Sequence, residues 1–210
     1  WIDGHTQAGA PIPSRRRGPV ELIPEGIFTS EQSDSLLRQL ASADFRTDWG
    51  MREVALSSTD FDPYSYGRGS VTAPGTAQAA TAFWRAHRPE NGLSIWRDLI
   101  PWNRLDAPGH MHELLAGSFF HEQTESVPEQ TWSSASFLDA TVQGLLDLQI
   151  DGVDNRIDFG PHLPPEWDRV TLENIRLPNS TQTFALTQSA TAIDLDIDNQ
   201  GLPAQVVFEP

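Results

Sequence analysis

The chain contains no cysteine and no lysine. Without cysteine, disulfides and thiolate metal sites are excluded, and the redox compartment stays open. Without lysine, all 14 basic residues are Arg, set against 29 Asp and Glu for a net charge of −15. Such acidity argues against nucleic acid or an anionic membrane as a partner. Long hydrophobic runs are missing too. The apolar stretches are broken by Gly, Pro or charge, and none approaches the roughly 18 residues of a membrane helix. No signal-peptide pattern follows Trp1. Trp1 is not a natural start, so the sequence is expected to be a mature form or a fragment. The single basic run, Arg15-Arg16-Arg17, sits beside prolines, and a loop clamping local carboxylates explains it better than a phosphate patch.

What is present is an ordinary apolar fraction, 38% of 210 residues, with 7 Trp. That is enough for one large or two small domains with a real core. Residues 1–26 are rich in Gly, Pro and Arg and read as an irregular loop. Thr29-Ser30 caps a predicted helix through Leu40, with Ile27, Phe28, Leu36, Leu37 and Leu40 on one face. Residues 44–74 are turn-rich with no sustained period and predict a long ordered loop, of the kind that tends to be functional. Further helices are predicted from about Pro74 to His87, near 92–100, near 109–117 and, most strongly, from about Glu129 to Leu148. After Asp151-Gly152 the pattern becomes polar and apolar alternation over 156–159, 169–175, 183–187, 192–197 and 205–208, an antiparallel β region. Helices first and strands last predict a helical domain followed by a small β domain.

Several motifs have plain structural readings. Asp194-Leu195-Asp196-Ile197-Asp198 lacks the glycine and closing Glu of a calcium loop and reads as a strand with solvated Asp. His110-Met111-His112-Glu113 lacks the HExxH spacing, and two His at i,i+2 do not face together on a helix, so no metal site is predicted. Ser133, Ser134 and Ser136 have no nucleophile-elbow frame. Asn179-Ser180-Thr181 is a sequon in form alone. The carboxylates carry more. Glu122, Glu125 and Glu129 precede Trp132 at the mouth of the strongest predicted helix, and Asp3 stands beside Trp1. A Glu there is also a favourable N-terminal charge. Two separated carboxylates in Trp-bearing loops nevertheless suit glycoside hydrolysis, where one acid protonates the leaving oxygen and one base activates water.

Four blocks resemble a known family in the right order. WIDGHTQAGAPIPSRRRGPVEL, DWGMREVALSSTDFDPYSYGRGSV, FFHEQTESVPEQTWSSASFLDATVQGLLDL and FGPHLPPEWDRVTLENIRL are similar to segments of the glycogen-debranching, amylo-α-1,6-glucosidase family. The resemblance implies a mainly α protein, part of an (α/α)6 toroid as in glucoamylase and trehalase, followed by a small C-terminal antiparallel β domain. It implies residues 1–150 as the partial catalytic domain and 151–210 as the β domain, with a segment missing near 22–25. It implies an inverting hydrolase of α-glucosidic bonds, with Asp3 as the acid and Glu122 as the base. By position, Trp1, Arg17, Glu21, Arg68 and Trp132 fall on substrate-binding or ring-packing sites. No cofactor is implied, and the implied partner is an oligo- or polysaccharide. Thr72-Ala73-Pro74 replaces a Trp-Pro of the family, so one sugar platform is absent. The alternatives are a non-catalytic carbohydrate-binding remnant of the same fold and a related toroid hydrolase of another linkage.

Overall fold

A computed structural model describes residues 4–209. The chain divides into two compact units, Trp1–Thr141 and Val142–Pro210. Trp1, Ile2, Asp3 and Pro210 lie outside the described residues.

In the first unit the Arg-rich segment runs into a 3₁₀ helix at Gly18–Leu22, with Pro at its start and Val20 buried. A hydrogen-bonded turn from Ile23 to Gly26 follows. Helix α1 (Ser30–Leu40) begins on a complete capping box. Thr29 Oγ1 accepts from the Gln32 amide, and Gln32 Oε1 accepts from the Thr29 amide. Leu36, Leu37 and Leu40 are its buried face. Two short strands, β1 (Arg46–Thr47) and β2 (Gly50–Met51), pair antiparallel. Strand β3 (Val71–Thr72) leads directly into α2 (Ala73–Arg85), with Thr72 as N-cap and Pro74 in the first turn. The small residues of α2 let neighbours approach closely, and nine of its positions are buried, Phe83 and Trp84 among them. Helix α3 (Pro89–Arg97) packs on α2 through Gly92, where a Cβ would lie 2.8 Å from the Trp84 indole. Strand β4 (Leu114–Leu115) pairs with β3, and α4 (Thr131–Asp139) completes the unit. Trp96 of α3 stacks on Phe137 of α4 at 5.1 Å.

The second unit is made of strands. A meander of β7 (Arg169–Leu177), β8 (Ser180–Gln188) and β9 (Ile193–Gly201) is antiparallel throughout. A second sheet places β6 (Arg156–Phe159) between β5 (Leu148–Asp151) and β10 (Gln205–Phe208). Leu146, Leu148, Ile157, Phe159, Ile175, Leu177, Phe184 and Leu186 form the core.

The expected mainly α architecture, part of an (α/α)6 toroid with an antiparallel β domain, is not what the chain forms. Among the described residues there are four α-helices, with 28% of residues helical and 26% in strands spread over four small sheets. The β10–β6 pair is parallel. Two local causes account for most of the helical shortfall. Residues 109–117 are not helical. Gly109 takes φ +84°, and Leu114-Leu115 pair with β3, so tertiary pairing overrides the helical spacing. The long predicted helix from Glu129 is also cut short. Glu129 has φ +52° and Asp147 φ +41°, and neither conformation fits a right-handed helix. Between them α4 runs nine residues and gives way to a π-helical turn at Ala140–Leu145. No described helix is long and apolar enough to cross a membrane.

Candidate functional site

Two loops of the first unit meet to make a cavity of about 500 Å3. The first, residues 61–70, is shaped by Asp62-Pro63. Pro presets the turn, and Asp bonds the backbone two residues on. The Asp62 Oδ1 accepts from the Tyr64 amide, the Ser65 amide donates to the Asp62 carbonyl, and the Asp62 amide closes the loop on the Arg68 carbonyl. Arg16 holds this loop from outside, donating to the Gly67 carbonyl at 2.7 Å and lying 3.5 Å from Asp60.

The second loop follows β4. Leu115 bridges Glu122 antiparallel, and the Ala116 amide donates to the His121 carbonyl. The two loops dock through backbone. Gly117 donates its amide to the Pro63 carbonyl at 3.0 Å, and a Cβ on Gly117 would lie 1.9 Å from the Gly69 carbonyl oxygen. Gln123, 6% exposed, adds a second tie by donating its Nε2 to the Pro63 carbonyl. Its Oε1 is buried with no hydrogen-bond partner among the described residues. Tyr66 donates its hydroxyl to Glu113, and that bond, the largest cause, raises the phenol above its ordinary range.

The cavity is lined by Asp62, Tyr64, Ser65, Tyr66, Arg68 and residues 121–125, which include Glu122, Gln123 and Glu125. Arg68 donates to Asp62 at 3.4 Å and to Ser65 at 3.2 Å. It therefore shares the cleft with Glu122 and is also held by a neighbouring carboxylate. Tyr64 and Tyr66 are well exposed along the wall. The lining combines ring faces, an Arg, three carboxylates and a buried amide acceptor.

Of the other candidates, the described ones do not line the cavity. Asp3 and Trp1 are outside the described residues. Arg17 is buried beneath α2, with bonds to both Glu53 oxygens at 3.0 and 3.1 Å and to Gln78 at 3.2 Å. Glu21 is exposed and lies 3.6 Å from Arg17. Trp132 is 73% exposed on α4 and does not line the cavity. Trp49 supports the second loop, donating its indole N–H to the Ala116 carbonyl. The run Arg15-Arg16-Arg17 is spent on Asp44, Asp60 and Glu53.

Sequence reasoning missed Gln123, and it missed Asp106 and His112. His112 is 3% exposed, and its Nδ1 lies 2.9 Å from the Asp106 Oδ2. The same oxygen accepts from the Glu129 amide. Burial alone would raise the Asp106 carboxyl, but those two bonds outweigh it and hold the group below its ordinary value. One ligand-type atom from each of Asp106, His112 and Glu122 lies within 4.8 Å of the other two. The signal was present in HMHE. Helical spacing was the wrong test for it, because this segment is not helical.

No protein-family profile matches the chain, and no curated protein matches it. Solved structures do. A GH63 mannosylglycerate hydrolase from Thermus thermophilus, in complex with Tris, aligns with 64% of this chain and 31% of its own, at 20% identity and TM-score 0.51. The same hydrolase in complex with glucose aligns over 62% and 32%, at 20% identity and TM-score 0.46. An uncharacterized conserved protein from Thermus thermophilus aligns over 63% and 31%, at 18% identity and TM-score 0.49. The chain thus spans about a third of the length of these structures. The first alignment shows a shared partial fold with a glycoside hydrolase. The resemblance to debranching glucosidases rests on the four sequence blocks.

Proposed function

We propose that the cleft between residues 61–70 and 121–125 is a carbohydrate site of glycoside-hydrolase type. The observation that carries this reading is the meeting of Glu122 and Arg68 in one cavity walled by Tyr64 and Tyr66. Its volume falls in the range of small-molecule sites. The Tyr rings offer apolar faces to a pyranose, and Arg68, Asp62 and Glu125 offer donors and acceptors to its hydroxyls. The buried Gln123 Oε1 asks for a hydroxyl or water to donate to it, because an unpaired acceptor costs about 1–3 kcal/mol. In this reading Glu122 is the base that activates water on an α-glucosidic bond of debranching type, and Asp3 is the acid. Inversion would set the two carboxyl groups roughly 6.5–9.5 Å apart.

The test is sugar release by the full chain from an α-1,6-glucoside, from maltose and from mannosylglycerate, compared with Glu122→Gln and Asp3→Asn. A lost acid or base should cost about 10²- to 10⁴-fold in turnover. Undiminished turnover in Glu122→Gln removes that residue from the mechanism. The diversion of Arg17 into a buried ion pair favours one second reading, a carbohydrate-binding module. Saturable sugar binding with no turnover on any of the three substrates would select it.

A further inference from the structure

The Arg-paired carboxylates described above have their charge balanced locally: Glu21, Asp44, Glu53, Asp60 and Asp62 each lie within 4.0 Å of a guanidinium. Asp106 and Glu122 do not. Among the described residues neither pairs with an Arg, and a ligand atom of each lies within 4.8 Å of one on the buried His112. Asp106 is itself largely buried, its side chain 12% exposed. Two carboxylates around one imidazole leave a focus of negative charge in a chain of net charge −15. Buried charge is normally paired or coordinates a metal.

We propose that Asp106, His112 and Glu122 form a binding site for one divalent transition-metal cation, zinc being the ion that best suits the set. Imidazole with carboxylate oxygen is a donor set zinc accepts, and three protein ligands leave a fourth position for water or a ligand oxygen. The spacing fits. Zinc bonds of about 2.0–2.2 Å place tetrahedral ligand atoms roughly 3.3–3.5 Å apart. The His112–Asp106 pair, at 2.9 Å, is already near that separation. Glu122 is exposed and lies within 4.8 Å of the other two, so it closes on the ion by a side-chain movement of about 1.5 Å. The framework is fixed. His112 lies two residues before β4, Glu122 is held opposite Leu115, and Asp106 is tied by the Glu129 amide. On binding, the cation takes the place of the proton on His112 Nδ1, and the neutral ring carries its proton on Nε2 instead. The site stands independently of the carbohydrate reading. With the cation bound Glu122 is a ligand, so its role as base under the carbohydrate reading belongs to the metal-free chain.

The experiment is titration of the full chain with Zn2+ in competition with a chromogenic chelator, together with the visible absorption of the Co2+ form. Wild type should bind one equivalent. His112→Ala and Glu122→Gln should each weaken binding by at least about tenfold and abolish the Co2+ bands. His121→Ala and Glu125→Gln, neighbours outside the set, should stay within about twofold. Because Glu122 is exposed, its variant tests the site even where His112→Ala fails to fold, as judged by circular dichroism. Absence of saturable uptake by wild type overturns the proposal. So does wild-type affinity in Glu122→Gln or in a folded His112→Ala, which would mark the uptake as general attraction to an acidic surface.

Discussion

Gly117→Ala is a sharp test of how the cavity is built, because it adds one methyl group at a backbone crossing. The new Cβ would sit 1.9 Å from the Gly69 carbonyl oxygen and 2.9 Å from its carbon. A relaxed carbon–oxygen contact is about 3.3 Å, so one loop must retreat by roughly 1.4 Å. The obstacle is backbone and has no rotamer to change. Overpacking of this kind costs about 1–3 kcal/mol. The retreat also strains the Gly117–Pro63 hydrogen bond, worth about 0.5–1.5 kcal/mol. The Arg52 Nε bond to the Gly117 carbonyl, 2.6 Å in the wild type, strains with it. Against this, replacing Gly lowers unfolded-state entropy and returns about 0.4–1 kcal/mol. The expected net loss is about 2–3 kcal/mol.

Urea unfolding measures that loss, and amide exchange across residues 61–70 reports whether the loop has lifted. Gly67→Ala is the control in the same loop. Nothing lies within 4 Å of its added Cβ, and Gly67 is not in the left-handed region. It should leave stability unchanged or raise it by up to about 1 kcal/mol. If Gly117→Ala falls within that same band and exchange over 61–70 is unchanged, the loops do not depend on this crossing and the account of the cavity is wrong.

Two further predictions concern charge. Arg17→Met should destabilise by about 2–4 kcal/mol in urea unfolding, because it strips the partner from Glu53, which is 22% exposed in its side chain, and breaking such a pair leaves an uncompensated charge; a loss below about 0.5 kcal/mol would show the pair to be idle. Asp98 is raised from 3.8 to about 6 by burial, with Arg46 pulling it down and Asp48 pushing it up. Between about pH 4 and 6 the folded state therefore holds a proton that the unfolded state has released, so this group's contribution falls as pH rises through that window and is flat above it. The melting temperature of wild type relative to Asp98→Asn should accordingly decline from pH 4 to pH 7, and a difference independent of pH would remove Asp98 as the cause.

The sequence was legible where one local rule acted alone. The capping box at Thr29 and the leucines of α1 were readable because N-cap chemistry and helical period agreed there. The strands at 156–159 and 205–208 were readable from alternation, but alternation carries no direction, and the parallel β10–β6 pairing could not be drawn from it. Legibility failed where long-range pairing competed with period. HMHELL has a helix-compatible pattern, yet Leu114-Leu115 gain more by zipping to Val71-Thr72. That single misreading hid His112 as well, since its neighbours in space are Asp106 and Glu122.

The same competition decided what became of the four blocks of resemblance. Of the residues they nominated, Glu122 and Arg68 line one cavity, while Arg17 is sealed beneath α2 by Glu53, Gln78 and the Cβ-free face of Gly75, where a methyl would lie 2.5 Å from the guanidinium. A buried, multiply bonded Arg is costly to release for ligand binding, so its side chain serves the fold whatever the cavity binds. Arg68 is different. Its side chain is 56% exposed and its bond to Asp62 is long, 3.4 Å, so it can swing to a hydroxyl at little cost. On the proposed carbohydrate reading, the exposed Arg68, the two Tyr faces and the buried Gln123 acceptor are the groups on which recognition in this cleft rests, and Glu122 is the carboxylate that acts on what they hold.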